Sequence, residues 1–319
     1  MCKNNRTTNV TLGLILDKKA IMMAIPEAQL ETWSNQGATT TAKSTHESIR
    51  NALDNDNSPL RGKDIDIYLQ GSYVNYTNIR ADSDVDIVVQ LNSSWFRDIS
   101  QLSPEEQQLY SSLHTNATYG YQEFRSDVIQ TLQSYFGAPS VQVGNKSIKI
   151  LPGSGRLAAD VVACLQFRRY RFFHGMNDQD FVVGIGLLAQ DDSLIVHFPK
   201  LHQENGERKN AETSMWFKQT VRVFKNIRSY LVDHGIIGAE VAPSYFLECL
   251  IYNVPSTAFG VNFGETFCNV LNWLRKQNLD GFVCMSEQSM LFGTSSEQWS
   301  KEKALQFISA ATSLWNNWR

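Results

Sequence analysis

Two short stretches carry residues whose types and spacing suit chemistry. The first is Gly71-Ser72, which ends an alternating run Ile65-Asp66-Ile67-Tyr68-Leu69. The second is Asp84-Val85-Asp86, with eleven residues between Ser72 and Asp84, leading into Ile87-Val88-Val89. In a strand, residues i and i+2 share a face, so Asp84 and Asp86 present two carboxylates side by side. Such a pair repels itself unless a cation lies between its members. Hard oxygen donors on one face suit Mg²⁺, which takes one or two carboxylates and completes its shell with phosphates and water. A glycine lets backbone approach a ligand, and a serine adds a hydroxyl donor. Gly-Ser for phosphates with Asp-x-Asp for metal is an arrangement for phosphoryl transfer. Asp-x-Asp read alone also fits a solvated turn; the Gly-Ser upstream, between two strand-like runs, favours the chemical reading. Asp82 is the weaker neighbour and reads as a turn residue.

A third carboxylate stands in an apolar run, Ala159-Asp160-Val161-Val162. Burying it there is costly unless it is paired or metal-bound. One reading pairs it with an arginine such as Arg168. Beside an Asp84/Asp86 pair, the preferred reading brings it onto a neighbouring strand as a third ligand. Three carboxylates can hold two metal ions, one lowering the pKa of an attacking hydroxyl and the other holding a triphosphate and its leaving group.

These residues must be positioned by a sheet braced with helices. The chain has 319 residues, 42% hydrophobic, enough for two lobes or two domains. Net charge is −3 and the pI about 6.1, which argues against a large nucleic-acid surface. Cys2, Cys164, Cys249, Cys268 and Cys284 are scattered without a Cys-x-x-Cys pair, arguing against a disulfide framework or zinc knuckle and fitting a reducing cytoplasm. No apolar run reaches membrane-spanning length. Residues 1–22 read as a mobile extension. A helical pattern over 27–54, broken near Gly37, is expected to brace the sheet. Helices are expected at 121–136, 213–232, from Ala242-Pro243-Ser244, and near 262–276 and 298–315. Ser140–Val143 and Ser147–Leu151 read as strands, residues 181–197 as a hairpin, and Gln203–Ala211 as a polar loop. Phe167-Arg168-Arg169-Tyr170-Arg171 reads as a solvated edge or a phosphate- or base-facing cluster. In 213–232, Lys218, Arg222, Lys225 and Arg228 form a basic face, which is either solvated or lets Lys225 reach a triphosphate. Ser244 near a helix N-terminus favours phosphate. Tyr245 is either core or a base-stacking ring.

Taken together, Gln70-Gly71-Ser72-Tyr73, Thr77-Asn78-Ile79-Arg80, Asp82-Ser83-Asp84-Val85-Asp86-Ile87-Val88, Ala159-Asp160-Val161-Val162, Lys225 and Ser244-Tyr245 resemble the bacterial cyclic-oligonucleotide synthases, relatives of animal cyclic GMP-AMP synthase and oligoadenylate synthase. Ile25-Pro26-Glu27-Ala28-Gln29-Leu30-Glu31-Thr32-Trp33 is also similar to their N-terminal helix. The resemblance covers residues 24 to about 255. It implies an α+β fold: a DNA polymerase β-like nucleotidyltransferase lobe with a mixed sheet, over 23–212, and a helical lobe, over 213–319, with the active site in the cleft between. It implies that Asp84, Asp86 and Asp160 bind two Mg²⁺ (or Mn²⁺). It implies that Gln70, Gly71, Ser72, Lys225 and Ser244 hold the donor triphosphate, with Tyr245 under its base. The substrates would be ATP, GTP, UTP or CTP, joined without a template nucleic acid into a cyclic di- or trinucleotide. The product would act on a separate effector protein in anti-phage defence, with no membrane involved. Ala163 stands where the family often has proline, and the animal enzyme's zinc insertion is absent. Competing expectations are another nucleotidyltransferase, modifying a small molecule, RNA or protein, and an inactive nucleotide-binding module.

Overall fold

The computed structural model describes residues 24–80, 83–295 and 297–318; the expected extension at 1–22 and Asp82 lie outside them. The chain divides into two compact units. One is Gly37–Asn205, and the other joins the described part of Met1–Gln36 to Gly206–Arg319.

The first unit is built on a seven-stranded mixed sheet. Strands β1 (Ile65–Leu69), β2 (Val85–Asp98), β5 (Ala159–Gly175), β4 (Ile148–Ile150) and β3 (Val141–Val143) lie in that order; β6 (Asp178–Leu188) pairs with β5 and β7 (Leu194–His197). β1 runs antiparallel to β2, and β2 runs parallel to β5. The runs Val85 to Val89 and Ala159 to Val161 are β-branched or small, and their apolar members are fully buried, as expected of strands covered on a face. Helices α1 (Glu27–Ser34) and α2 (Thr40–Leu53) cover the expected helical pattern, split around Gly37 as its break predicted. A Cβ at Gly37 would lie 2.8 Å from the Arg80 carbonyl carbon. The close approach lets Gly37 accept from the Asn78 amide at 3.0 Å and donate its own N–H to the Asn78 carbonyl at 3.0 Å. α2 contributes Ile49, Ala52 and Leu53 to the sheet's core, beside Phe124, Val128 and Leu132 of a later helix (Tyr121–Phe136).

β5 extends far beyond the expected strand and takes in the basic aromatic run, whose Phe167 and Tyr170 are buried while Arg171 is exposed. Arg168 lies over Trp95 at 3.8 Å and Phe181 at 4.8 Å, Arg169 Nε donates to Asp98 Oδ2 at 3.1 Å, and Arg171 pairs with Asp180 at 2.8 Å. These are contacts between neighbouring strands and with rings.

The second unit is helical. In chain order after α2 come α3 (Gly71–Val74), α4 (Pro104–Leu113), α5 (Tyr121–Phe136), α6 (Pro199–Glu212), α7 (Trp216–Asp233), α8 (Ser244–Tyr252), α9 (Phe263–Leu274) and α10 (Lys301–Asn316). α7 to α10 belong to the second unit, and so does α1, which was expected to brace the sheet. Ile25 and Leu30 join a core with Phe217, Phe224, Leu247 and Phe307. The Glu27 carboxylate accepts the Phe263 and Gly264 amides at 2.6 and 2.8 Å, neutralising the N-terminal end of α9.

The stretch expected as a polar loop, 203–211, is part of helix α6. Its inward positions 202, 205, 206 and 210 have helical spacing, but they are His202, Asn205, Gly206 and Asn210. Apolar periodicity cannot register a helix whose buried side is polar. Asn210 explains its own burial: its Oδ1 accepts the Lys218 amide at 3.0 Å. Among the described residues no helix is long and apolar enough to cross a membrane.

Candidate active site

The sheet brings the expected carboxylates together. In the parallel register of β2 and β5, Asp86 lies opposite Asp160. Asp84 precedes β2 by one residue, two before Asp86 and on its side by strand alternation. β1 leads the chain to this end of the sheet, where the Gln70 amide donates to the Asp86 carbonyl at 2.9 Å. The chain then turns into α3 through Gly71, at φ +70°; a Cβ there would lie 2.2 Å from Asp86 Oδ2. Only glycine lets this turn lie against the carboxylate. Ser72 is thereby held beside Asp86, and its carbonyl accepts the Thr77 amide at 2.9 Å. The Tyr73 hydroxyl donates to the Ser83 carbonyl at 3.0 Å, tying α3 to the residue before Asp84.

Two donors at this site were missed in the sequence. Lys149 Nζ donates to Asp84 Oδ2 at 2.6 Å, and Ser147 Oγ donates to Asp160 Oδ1 at 3.3 Å. Lys149 lies on β4 directly opposite Asp160. The bond to Asp84, then the charges of Asp84 and Asp160, raise the Lys149 pKa above its ordinary value. The alternation Ser147-Ile148-Lys149-Ile150 carried the signal, since Ile148 and Ile150 face inward and Lys149 must face the other way; what it would meet depended on register. Asp160 is not salt-bridged to Arg168, whose Nε donates to Gln166 at 2.6 Å.

The donor set fits hard divalent ions: three carboxylates, two in register, with a glycine turn pressed against one and an ammonium already on another. As they stand, no three His, Cys, Asp or Glu side chains among the described residues form a metal-holding group.

The remaining expected residues lie in the helical unit. Lys225 of α7 is 3% exposed and its ammonium is bonded to Glu248 of α8. The basic face of α7 is therefore divided, with Lys225 buried and Lys218 and Arg228 partly exposed. Arg222 is also buried, with Nε donating to the Ser34 carbonyl, and burial lowers its pKa to about 10. Ser244 is the first residue of α8, after Pro243. Tyr245 is 43% exposed, its ring edge-on to Phe246 at 5.5 Å, while its hydroxyl lies against the buried Cys249 and Cys284.

The chain is 47% identical over 297 residues to the cyclic UMP-AMP synthase of Rhodothermus marinus, covering 93% of this chain and 99% of that protein. It belongs to the cGAS/DncV-like nucleotidyltransferases. The model of that family's C-terminal helical domain matches residues 204–316. The chain is also 41% identical over 302 residues to a cyclic nucleotide synthase of Staphylococcus haemolyticus, covering 93% of this chain and all of that protein. The solved R. marinus c-UMP-AMP synthase with Apcpp and Upnpp superposes with a TM-score of 0.85 at 46% identity, covering 92% of this chain and 97% of that one. The Elizabethkingia meningoseptica cyclic dinucleotide synthase with GTP and Apcpp gives 0.73 at 29%, covering 91% and 98%. The mixed sheet with helices is the fold of these cGAS/DncV-like enzymes.

Proposed function

We propose that this chain joins nucleoside triphosphates, without a template, into a cyclic di- or trinucleotide second messenger. The observation that carries this is the register pairing of Asp86 with Asp160 beside the Gly71-Ser72 turn, in a chain 47% identical to a cyclic UMP-AMP synthase. In each step a ribose hydroxyl attacks the α-phosphorus of another nucleotide. A P–O bond forms, the α–β anhydride breaks, and pyrophosphate leaves; a final attack within the linear product closes the ring.

Asp84, Asp86 and Asp160 would hold two Mg²⁺ (or Mn²⁺), which supply charge neutralisation and a more acidic hydroxyl. Gly71 keeps the turn against Asp86, so that Gln70, Gly71 and Ser72 meet the phosphates there. Lys225 and Ser244 are assigned to the donor triphosphate and Tyr245 to its base. For Lys225 this role requires its ammonium to leave or share Glu248. The substrates are drawn from ATP, GTP, UTP and CTP. The product acts in the cytoplasm on a separate effector protein in anti-phage signalling.

The test is incubation with all four triphosphates and Mg²⁺ or Mn²⁺, each labelled in turn at the α-phosphate, followed by phosphatase and mass spectrometry. A phosphatase-resistant product is expected, and Asp84→Ala/Asp86→Ala should reduce it by roughly 10⁴-fold or more. Label appearing only on added RNA, protein or antibiotic would sink the proposal.

A further inference from the structure

β4 offers a donor to each of two carboxylates. Its inward residues, Ile148 and Ile150, are 1% and 0% exposed and fix the backbone. The alternate positions just before and within it, Ser147 and Lys149, share the opposite face and reach different partners: Ser147 donates to Asp160 at 3.3 Å and Lys149 to Asp84 at 2.6 Å. Lys149 thus places a positive charge among carboxylates that would otherwise repel one another. The pair is 40% and 39% exposed at its two side chains, so water reaches it and the contact is cheap to exchange.

We propose that Lys149 is the resident counter-cation of this carboxylate site, and that a divalent ion must displace its ammonium to reach Asp84. Lys149 is then a positioning residue: it holds Asp84 in place against self-repulsion and sets the metal concentration at which the site fills. The inference rests on the assignment of Asp84 as a metal ligand.

The test titrates the full chain with Mn²⁺ in the absence of nucleotide, reading free Mn²⁺ by electron paramagnetic resonance and the thermal midpoint in parallel. Lys149→Met keeps the length and removes the charge; it should lower the half-saturating Mn²⁺ by about two- to fivefold, the range of an exposed ion pair. Lys149→Arg should stay near the unsubstituted chain. In an Asp84→Ala background, Lys149→Met should have no further effect. Unchanged or weaker Mn²⁺ binding in Lys149→Met, with Asp84→Ala still weakening it, overturns the role of Lys149 alone. Mn²⁺ binding indifferent to Asp84→Ala overturns the metal site and the proposal with it.

Discussion

Each unit of the protein holds a lysine bonded to a carboxylate, and the two pairs differ in almost every respect but chemistry. Lys225 and Glu248 are 3% and 5% exposed at their side chains, whereas Lys149 and Asp84 are 40% and 39% exposed. A buried pair must offset the loss of water around both charges, and removing one member strands the other. A half-exposed pair is screened, and either member finds water when the other leaves. Arg169 and Asp98 lie between these extremes at 25% and 29%. The same bond is therefore costly to break in one region and cheap to exchange in the other.

The largest break in this contrast should come from Lys225→Met, which removes the ammonium bonded to the buried Glu248 carboxylate; urea unfolding should show a loss of about 3–5 kcal/mol. The double change Lys225→Met/Glu248→Leu should recover most of it, and failure to recover would mean that Lys225 supports the fold by some other contact. Gly71→Ala should come next. It strains a left-handed residue and pushes a methyl into Asp86, costing about 1–3 kcal/mol by the same unfolding measurement and removing synthase activity. Asp98→Asn should cost less, about 1 kcal/mol, with a defined pH dependence. Burial opposes ionisation of Asp98, but the Ser100 hydroxyl and amide and the Arg169 guanidinium outweigh it and hold its pKa below the ordinary carboxylate value. Its contribution is then complete above the unfolded value, about pH 4, and fades as pH falls through the lower folded value. Unfolding at pH 6 and at pH 3 should show the difference from Asp98→Asn shrinking at the lower pH. Smallest of all, Lys149→Met should change stability without metal by about 0–1 kcal/mol. A larger loss would place Lys149 with Lys225.

Much of the sheet could be read from the chain because its signals are local. β1 matches the expected run, and β3 and β4 fall in the expected stretches. The pairing of Asp86 with Asp160 was expected only as a neighbouring strand, since register is set by contacts distant in sequence. The same limit hid Lys149: its alternation is visible, its partner is not. Helix α6 was missed because His202, Asn205 and Asn210 fill its inner side. The placement of α1 was missed because its apolar residues do not specify which core receives them. What decides it is specific bonding within the helical unit: Glu27 at α9, and the Ser34 and Trp33 carbonyls accepting from Arg222 and from Asn226, the latter at 2.9 Å.

The sheet unit is one continuous stretch, whereas the helical unit is assembled from both sides of it. This has a consequence during synthesis, when the chain leaves the ribosome from its N-terminus at about 5–20 residues per second. Residues 37–205 are complete, and free to fold, while α1 still lacks every helix it packs against. Glu27 in particular waits for Phe263 and Gly264, 236 and 237 residues downstream. Ile25, Leu30 and Trp33 are therefore an unclaimed apolar segment while residues 37–205 are made, and the helices that enclose it emerge only afterwards.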